Sequence, residues 1–168
     1  SVMNYPFRDY IIAFVKGYMT PLDFASNVMT ICENYPEDVL NALMNSLSTH
    51  DTPRILTLLS DAPYIENKDE RAKYTLTDEM RKKAMERLRK AAFLQFCLPG
   101  SPCIYYGDEA GTEGFEDPFN RGFFPWGKED KELLDFYKKL SGIKNSQPAL
   151  RFGKTEFINA GDSLLFTR

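Results

Sequence analysis

Apolar positions recur along the chain at helical spacing, and with cap signals they mark six helical segments. Ile11, Phe14, Val15 and Tyr18 lie three and four residues apart, which predicts a helix over Tyr10–Tyr18, broken by Gly17 and Pro21. Thr20 is a good N-cap and Pro21 suits a first helical turn, so a second helix runs to about Asn34 through Leu22, Ala25, Val28, Met29 and Cys32. Pro36-Glu37-Asp38 opens a further short helical piece. Asp51-Thr52-Pro53 starts another, with proline near its first position and an acid at its N-terminal end. Thr77 caps a long helix to about Phe96, with Asp78 and Glu79 in the first turn and Met80, Ala84, Leu88 and Ala91 as the apolar stripe. Its Arg- and Lys-rich outer face reads as solvated. Lys131 to about Lys144 is a last amphipathic helix.

Between these helices lie short apolar runs. Residues 1–4 read as a strand ended by a turn at Pro6, Leu43–Ser48 as a buried strand, and Cys103-Ile104-Tyr105-Tyr106 as a strand that follows the turn at Pro99–Pro102 and closes at Gly107. Residues 60–77 are a polar surface excursion, and 108–128 form a loop dense in Gly, Asp, Pro and aromatics. From Leu150 the character changes: two alternating segments flank Asn159-Ala160-Gly161-Asp162, a β-hairpin pattern. Short strands alternating with helices predict an α/β fold with a parallel sheet. Three such units are too few to close an eight-stranded barrel. Residues 1–149 and 150–168 are therefore expected to belong to different domains, the second being the start of a β domain.

Composition narrows the function. The 168 residues, 43% hydrophobic and 27% charged, suffice for an ordinary globular core. A net charge of −3 leaves no basic footprint, which argues against nucleic acid or an anionic membrane as the main partner. No run of about 18 apolar residues is present, so no membrane-spanning helix is expected. No leader is visible, and the first residues read as already inside a domain. The three cysteines, Cys32, Cys97 and Cys103, form no C-x-x-C pair, and there is a single histidine, so no zinc site is expected. Free buried thiols favour a reducing compartment such as the cytoplasm. The acidic stretch Asp108–Asp117 lacks the alternating oxygen ligands of a calcium loop. Neither metal nor cofactor is expected. The aromatic content of 14% includes rings that could stack on sugars.

The candidate chemistry lies just after the strands: Asn4 and Tyr5, then His50 and Asp51, then Asp108 and Glu109. Taken alone, Asp51 could simply cap a helix at Thr52, and His50 could be a surface histidine. The surrounding segments resemble the α-amylase family (glycoside hydrolase family 13). Leu47-Ser48-Thr49-His50-Asp51-Thr52-Pro53-Arg54 is similar to the segment after that family's seventh barrel strand. Pro99-Gly100-Ser101-Pro102-Cys103-Ile104-Tyr105-Tyr106-Gly107-Asp108-Glu109 resembles its eighth strand, and Asp117-Pro118-Phe119-Asn120-Arg121 with Trp126 the loop that follows. Val2-Met3-Asn4-Tyr5-Pro6-Phe7 resembles the sixth strand of the neopullulanase and cyclomaltodextrinase branch.

The resemblance implies an incomplete (β/α)8 TIM barrel, strands six to eight with their helices over 1–149, followed by the first strands of a C-terminal β domain over 150–168. It implies a retaining hydrolase of α-1,4-linked glucans, with Asp51 as the carboxylate that stabilises the transition state and His50 as a hydrogen-bond donor to the same sugar. Asn4, Tyr5, Asn120 and Arg121 are the implied substrate contacts, the alternatives being that Asn4 only ends a strand and that Asn120 and Arg121 are loop scaffold; Arg54 is expected to pair with a carboxylate beneath the site. The family's nucleophile and general acid follow its fourth and fifth strands, so the chain alone is expected to be inactive. The expected partners are an α-glucan, the rest of the barrel, and further copies of the chain through exposed sheet edges. The competing reading is a non-catalytic glucan-binding or complementation module.

Overall fold

A computed structural model describes residues 2–168. In chain order the helices and strands are α1 (Tyr5–Val15), α2 (Pro21–Asn34), α3 (Glu37–Asn41), β1 (Met44–Ser46), α4 (Ile55–Leu59), α5 (Lys68–Lys73), α6 (Asp78–Cys97), β2 (Ser101–Cys103), α7 (Lys131–Ser146), α8 (Pro148–Phe152), β3 (Glu156–Ala160) and β4 (Ser163–Thr167). Short 3₁₀ turns occupy Asp108–Ala110 and Phe119–Arg121.

Local chemistry explains most boundaries and corrects three expectations. The Asn4 side chain accepts the Phe7 N–H and so starts α1 at Tyr5, five residues before the expected start. Pro6 lies in the first helical turn, where a missing N–H costs nothing, so it opens a helix instead of ending a strand. Thr20 caps α2 as expected, accepting from Asp23 N at 3.1 Å. Helix α4 begins at Ile55, not at Asp51, because Thr52 Oγ1 accepts the Thr49 N–H at 2.9 Å and closes a turn ahead of the helix. Strand β2 begins at Ser101, two residues before the expected Cys103, and Pro102 sits within it. Proline is tolerated in a strand whose N–H faces no partner.

The structure divides into two compact units. The first holds the segments through Ser46, Ala91–Cys103 and Lys138–Arg168. There β1 and β2 pair in parallel, Met44 opposite Ser101 and Ser46 opposite Cys103. Met3 forms an isolated parallel bridge to Met44, not the full strand expected over 1–4; Ser1 lies outside the described residues. Phe7 and Ile11 of α1 and Phe24 and Val28 of α2 are buried, and Phe24 packs on Phe14 and Phe157 with ring centres 4.9 and 6.3 Å apart. Each such side chain contributes about 2–3 kcal/mol. Strands β3 and β4 form the expected antiparallel hairpin, with Gly161 at φ +67° in its turn.

The second unit holds Leu47–Lys90 and Ile104–Tyr137. Its core is Leu47, Ile55, Leu56 and Leu59 with Ala84 and Leu88, the inner stripe expected for the long helix, and Leu133. Among the described residues no helix is long and apolar enough to cross a membrane.

Candidate active site

The second unit carries the His50-Asp51 pair on the loop between Leu47 and Arg54. Ser48 and Thr49 are buried, whereas the His50 and Asp51 side chains are 60% and 62% exposed. His50 Nε2 lies 3.2 Å from Asp51 Oδ2. The turn beneath them is closed by its own threonines. Thr49 Oγ1 accepts the Asp51 N–H at 3.2 Å, and the Thr52 N–H donates to the Thr49 carbonyl at 3.4 Å. The result is two exposed polar side chains on a hydrogen-bonded turn, chemistry suited to gripping hydroxyl groups.

Asn120 comes from the 3₁₀ turn Phe119–Arg121 and is fully buried. Its Nδ2 donates to the carbonyls of Thr52 (2.8 Å), His50 (2.9 Å) and Thr49 (3.3 Å). Of its two expected roles, substrate contact and loop scaffold, these bonds are those of a loop scaffold. Arg121 is half exposed and ion-pairs with Asp117 at 2.6 Å.

Arg54 is the largest fully buried side chain. As expected, it pairs with a carboxylate: Nη1 lies 3.4 Å from Asp108 Oδ1 and also donates to the Tyr106 carbonyl. The guanidinium stacks on Tyr105 and Tyr106, 4.3 and 4.6 Å from the ring centres. Asp108 is raised to about 7 by burial, which outweighs the Ser48 hydroxyl and the Arg54 charge that hold it down. Burial also pushes Tyr137 up, aided by the negative charge of Asp108 and Glu109. Gly107, at φ +91°, turns the chain here; a Cβ would lie 2.6 Å from Thr112 Oγ1.

In the first unit Asn4 is also occupied. Besides capping α1 it donates from Nδ2 to Asn45 Oδ1 at 2.9 Å, and it is buried. Tyr5 remains partly exposed. Sequence reasoning missed Asn45, whose Nδ2 donates to the Pro99 carbonyl at 2.7 Å, and Gln95, which donates to the Asn45 and Cys103 carbonyls. A signal was present: Asn45 and Ser46 interrupt an otherwise apolar run, and a polar side chain inside a buried strand needs a partner. Among the described residues no three His, Cys, Asp or Glu side chains gather as metal ligands.

The family described as alpha amylase, catalytic domain, matches residues 1–149. The chain belongs to the α-amylase family. It is 42% identical over 180 residues to an amylopullulanase of Thermoanaerobacter thermohydrosulfuricus, covering 100% of this chain and 12% of that protein. It is 36% identical over 167 residues to a cyclomaltodextrinase of Geobacillus thermopakistaniensis (strain MAS1), covering 98% and 25%. Among solved structures it superposes on a cyclic alpha-maltosyl-(1→6)-maltose hydrolase of Arthrobacter globiformis with a TM-score of 0.76 at 28% identity, over 95% of this chain and 32% of that one. The chain thus spans a quarter or less of the two curated relatives and has a partial α/β fold matching part of an α-amylase-family enzyme.

Proposed function

We propose that this chain supplies the substrate-gripping pair of a retaining α-glucan hydrolase. The observation that carries the reading is His50-Asp51 itself: two exposed polar side chains 3.2 Å apart, on a turn closed by the Thr49 and Thr52 hydroxyls. Asp51 accepts from sugar hydroxyls beside the reacting carbon and His50 donates to one of them. Bonds of this kind strengthen as the oxocarbenium-like transition state forms and are worth several kcal/mol. Arg121 keeps exposed surface, and so, in the first unit, does Tyr5, while Asn4 caps α1 and bonds to the Asn45 side chain and Asn120 donates to backbone carbonyls. The names amylopullulanase and cyclomaltodextrinase support an α-1,4-linked glucan as substrate.

The order of the matching segments supports assigning residues 1–149 to barrel strands six to eight and 150–168 to the start of a β domain. On that assignment the nucleophile and general acid come from earlier strands, and the isolated chain releases no reducing sugar from maltooligosaccharide. In the full-length protein Asp51→Asn lowers kcat/KM by about 100-fold or more with no change in melting temperature, since Asp51 is exposed. Wild-type activity in that variant, or Asp51-dependent sugar release by the isolated chain, would sink the proposal.

A further inference from the structure

We infer that Asn120 is a positioning residue: it aims His50 and Asp51 by holding the peptide between them and makes no contact with sugar. The inference rests on the proposed role of Asp51.

The peptide unit that joins His50 to Asp51 sets the direction in which both side chains leave the backbone. It is held at both ends. Its carbonyl accepts from Asn120 Nδ2 at 2.9 Å, and its N–H donates to Thr49 Oγ1 at 3.2 Å. The same Asn120 amide reaches the Thr52 carbonyl at 2.8 Å, which fixes the chain immediately after Asp51. An amide nitrogen has two N–H groups. The two short bonds use them, and the 3.3 Å approach to the Thr49 carbonyl shares one.

The orientation of the amide is fixed by chemistry. Three carbonyl oxygens surround Nδ2, and an oxygen placed there would meet only acceptors. Asn120 Oδ1 is buried and accepts no hydrogen bond from the described residues, so the amide's bonds to protein are those of its Nδ2. Its side chain has no exposed surface from which to reach a ligand. Asparagine has the reach and the paired donors for this task. Aspartate would set a carboxylate against three carbonyls, and alanine would take from the His50 and Thr52 carbonyls the donor they share, the Thr49 carbonyl keeping the Thr52 N–H.

The test uses the full-length protein and two readouts. Amide hydrogen exchange over residues 50–54 reads the clamp: Asn120→Ala should speed it by about 10-fold, with helix α6 unchanged. Unchanged exchange in that loop overturns the inference. A double-mutant cycle with Asp51→Asn reads the consequence. Asn120→Ala should lower kcat/KM by roughly 100-fold, mostly in kcat, the cost of an ångström-scale misplacement. In the Asp51→Asn background it should cost much less, about 10-fold or under, because the carboxylate is gone and only the His50 bond is left to aim. Full losses that multiply would mean that Asn120 acts independently, by touching sugar or by general stability, and would overturn the positioning role. An Asp51→Asn enzyme as active as wild type would overturn the reading of the pair and the positioning role with it; exchange would still quicken in Asn120→Ala, which separates the two failures. If Asn120→Ala does not fold, Thr49→Val carries the same cycle, since it is isosteric and frees the same peptide from its other end.

Discussion

Arg54 places Nη1 3.4 Å from Asp108 Oδ1, with both side chains buried. The pair ties the segment after the His50-Asp51 loop to the turn that follows Tyr106. Removing one member leaves the other's polar group in a low-dielectric interior. Arg54→Ala also strips the packing on Tyr105 and Tyr106. It is expected to cost about 3–5 kcal/mol, read as a lower urea midpoint at unchanged slope.

Asp108 also sets a pH dependence. Its folded value is raised to about 7, above the ordinary carboxylate value of about 4. Between those two values the folded state holds a proton that the unfolded state has released. This contribution to stability is therefore present below about pH 4 and is lost as pH rises towards about 7, with no further change above. Lys144, lowered to about 8 chiefly by burial, titrates outside that window. Unfolding midpoints taken from pH ~5 to ~7 should fall, and Asp108→Asn should flatten that slope. An equal slope in the variant would contradict the assignment.

Asn45 and Gly100 hold the parallel pair. Asn45→Ala removes the donor to the Pro99 carbonyl and the acceptor for Asn4, an expected cost of about 2–4 kcal/mol. Gly100 sits at φ +104°, and an added Cβ would lie 2.8 Å from the Leu43 carbonyl oxygen. Gly100→Ala is expected to lose more than about 1 kcal/mol. Thermal melts of the two variants check both; a neutral Gly100→Ala would refute the close approach.

Strand β2 pairs with β1 and with no other strand among the described residues. A parallel strand with an open edge is a template for another chain. The isolated 168-residue chain is expected to self-associate as concentration rises. Light scattering that gives a strictly monomeric mass at high concentration would refute this.

The elements legible in the sequence are those with their own local chemistry. Thr20 with Pro21 marked α2, Thr77 marked α6, and Gly161 marked the hairpin turn. The failures arose where one residue admits two local roles. Pro6 read as a breaker because residues 1–4 read as a strand, whereas Asn4 caps a helix there. Asp51-Thr52-Pro53 read as a helix start, whereas Thr52 spends its hydroxyl on the Thr49 N–H and α4 begins at Ile55. In the candidate site the exposed pair was legible from its neighbours, but what supports it was not. Asn120 bonds to residues about 70 positions earlier, and no local spacing encodes that.

That separation has a kinetic side. The donor for the His50 and Thr52 carbonyls is made only after some 70 further residues have left the ribosome. Helices α1 and α2 depend on nearby caps and need not wait for it. Contacts so distant in sequence form late, because loop closure must be achieved before they reward it. The residues proposed to grip substrate therefore reach their final geometry only once the chain has closed a loop of 70 residues.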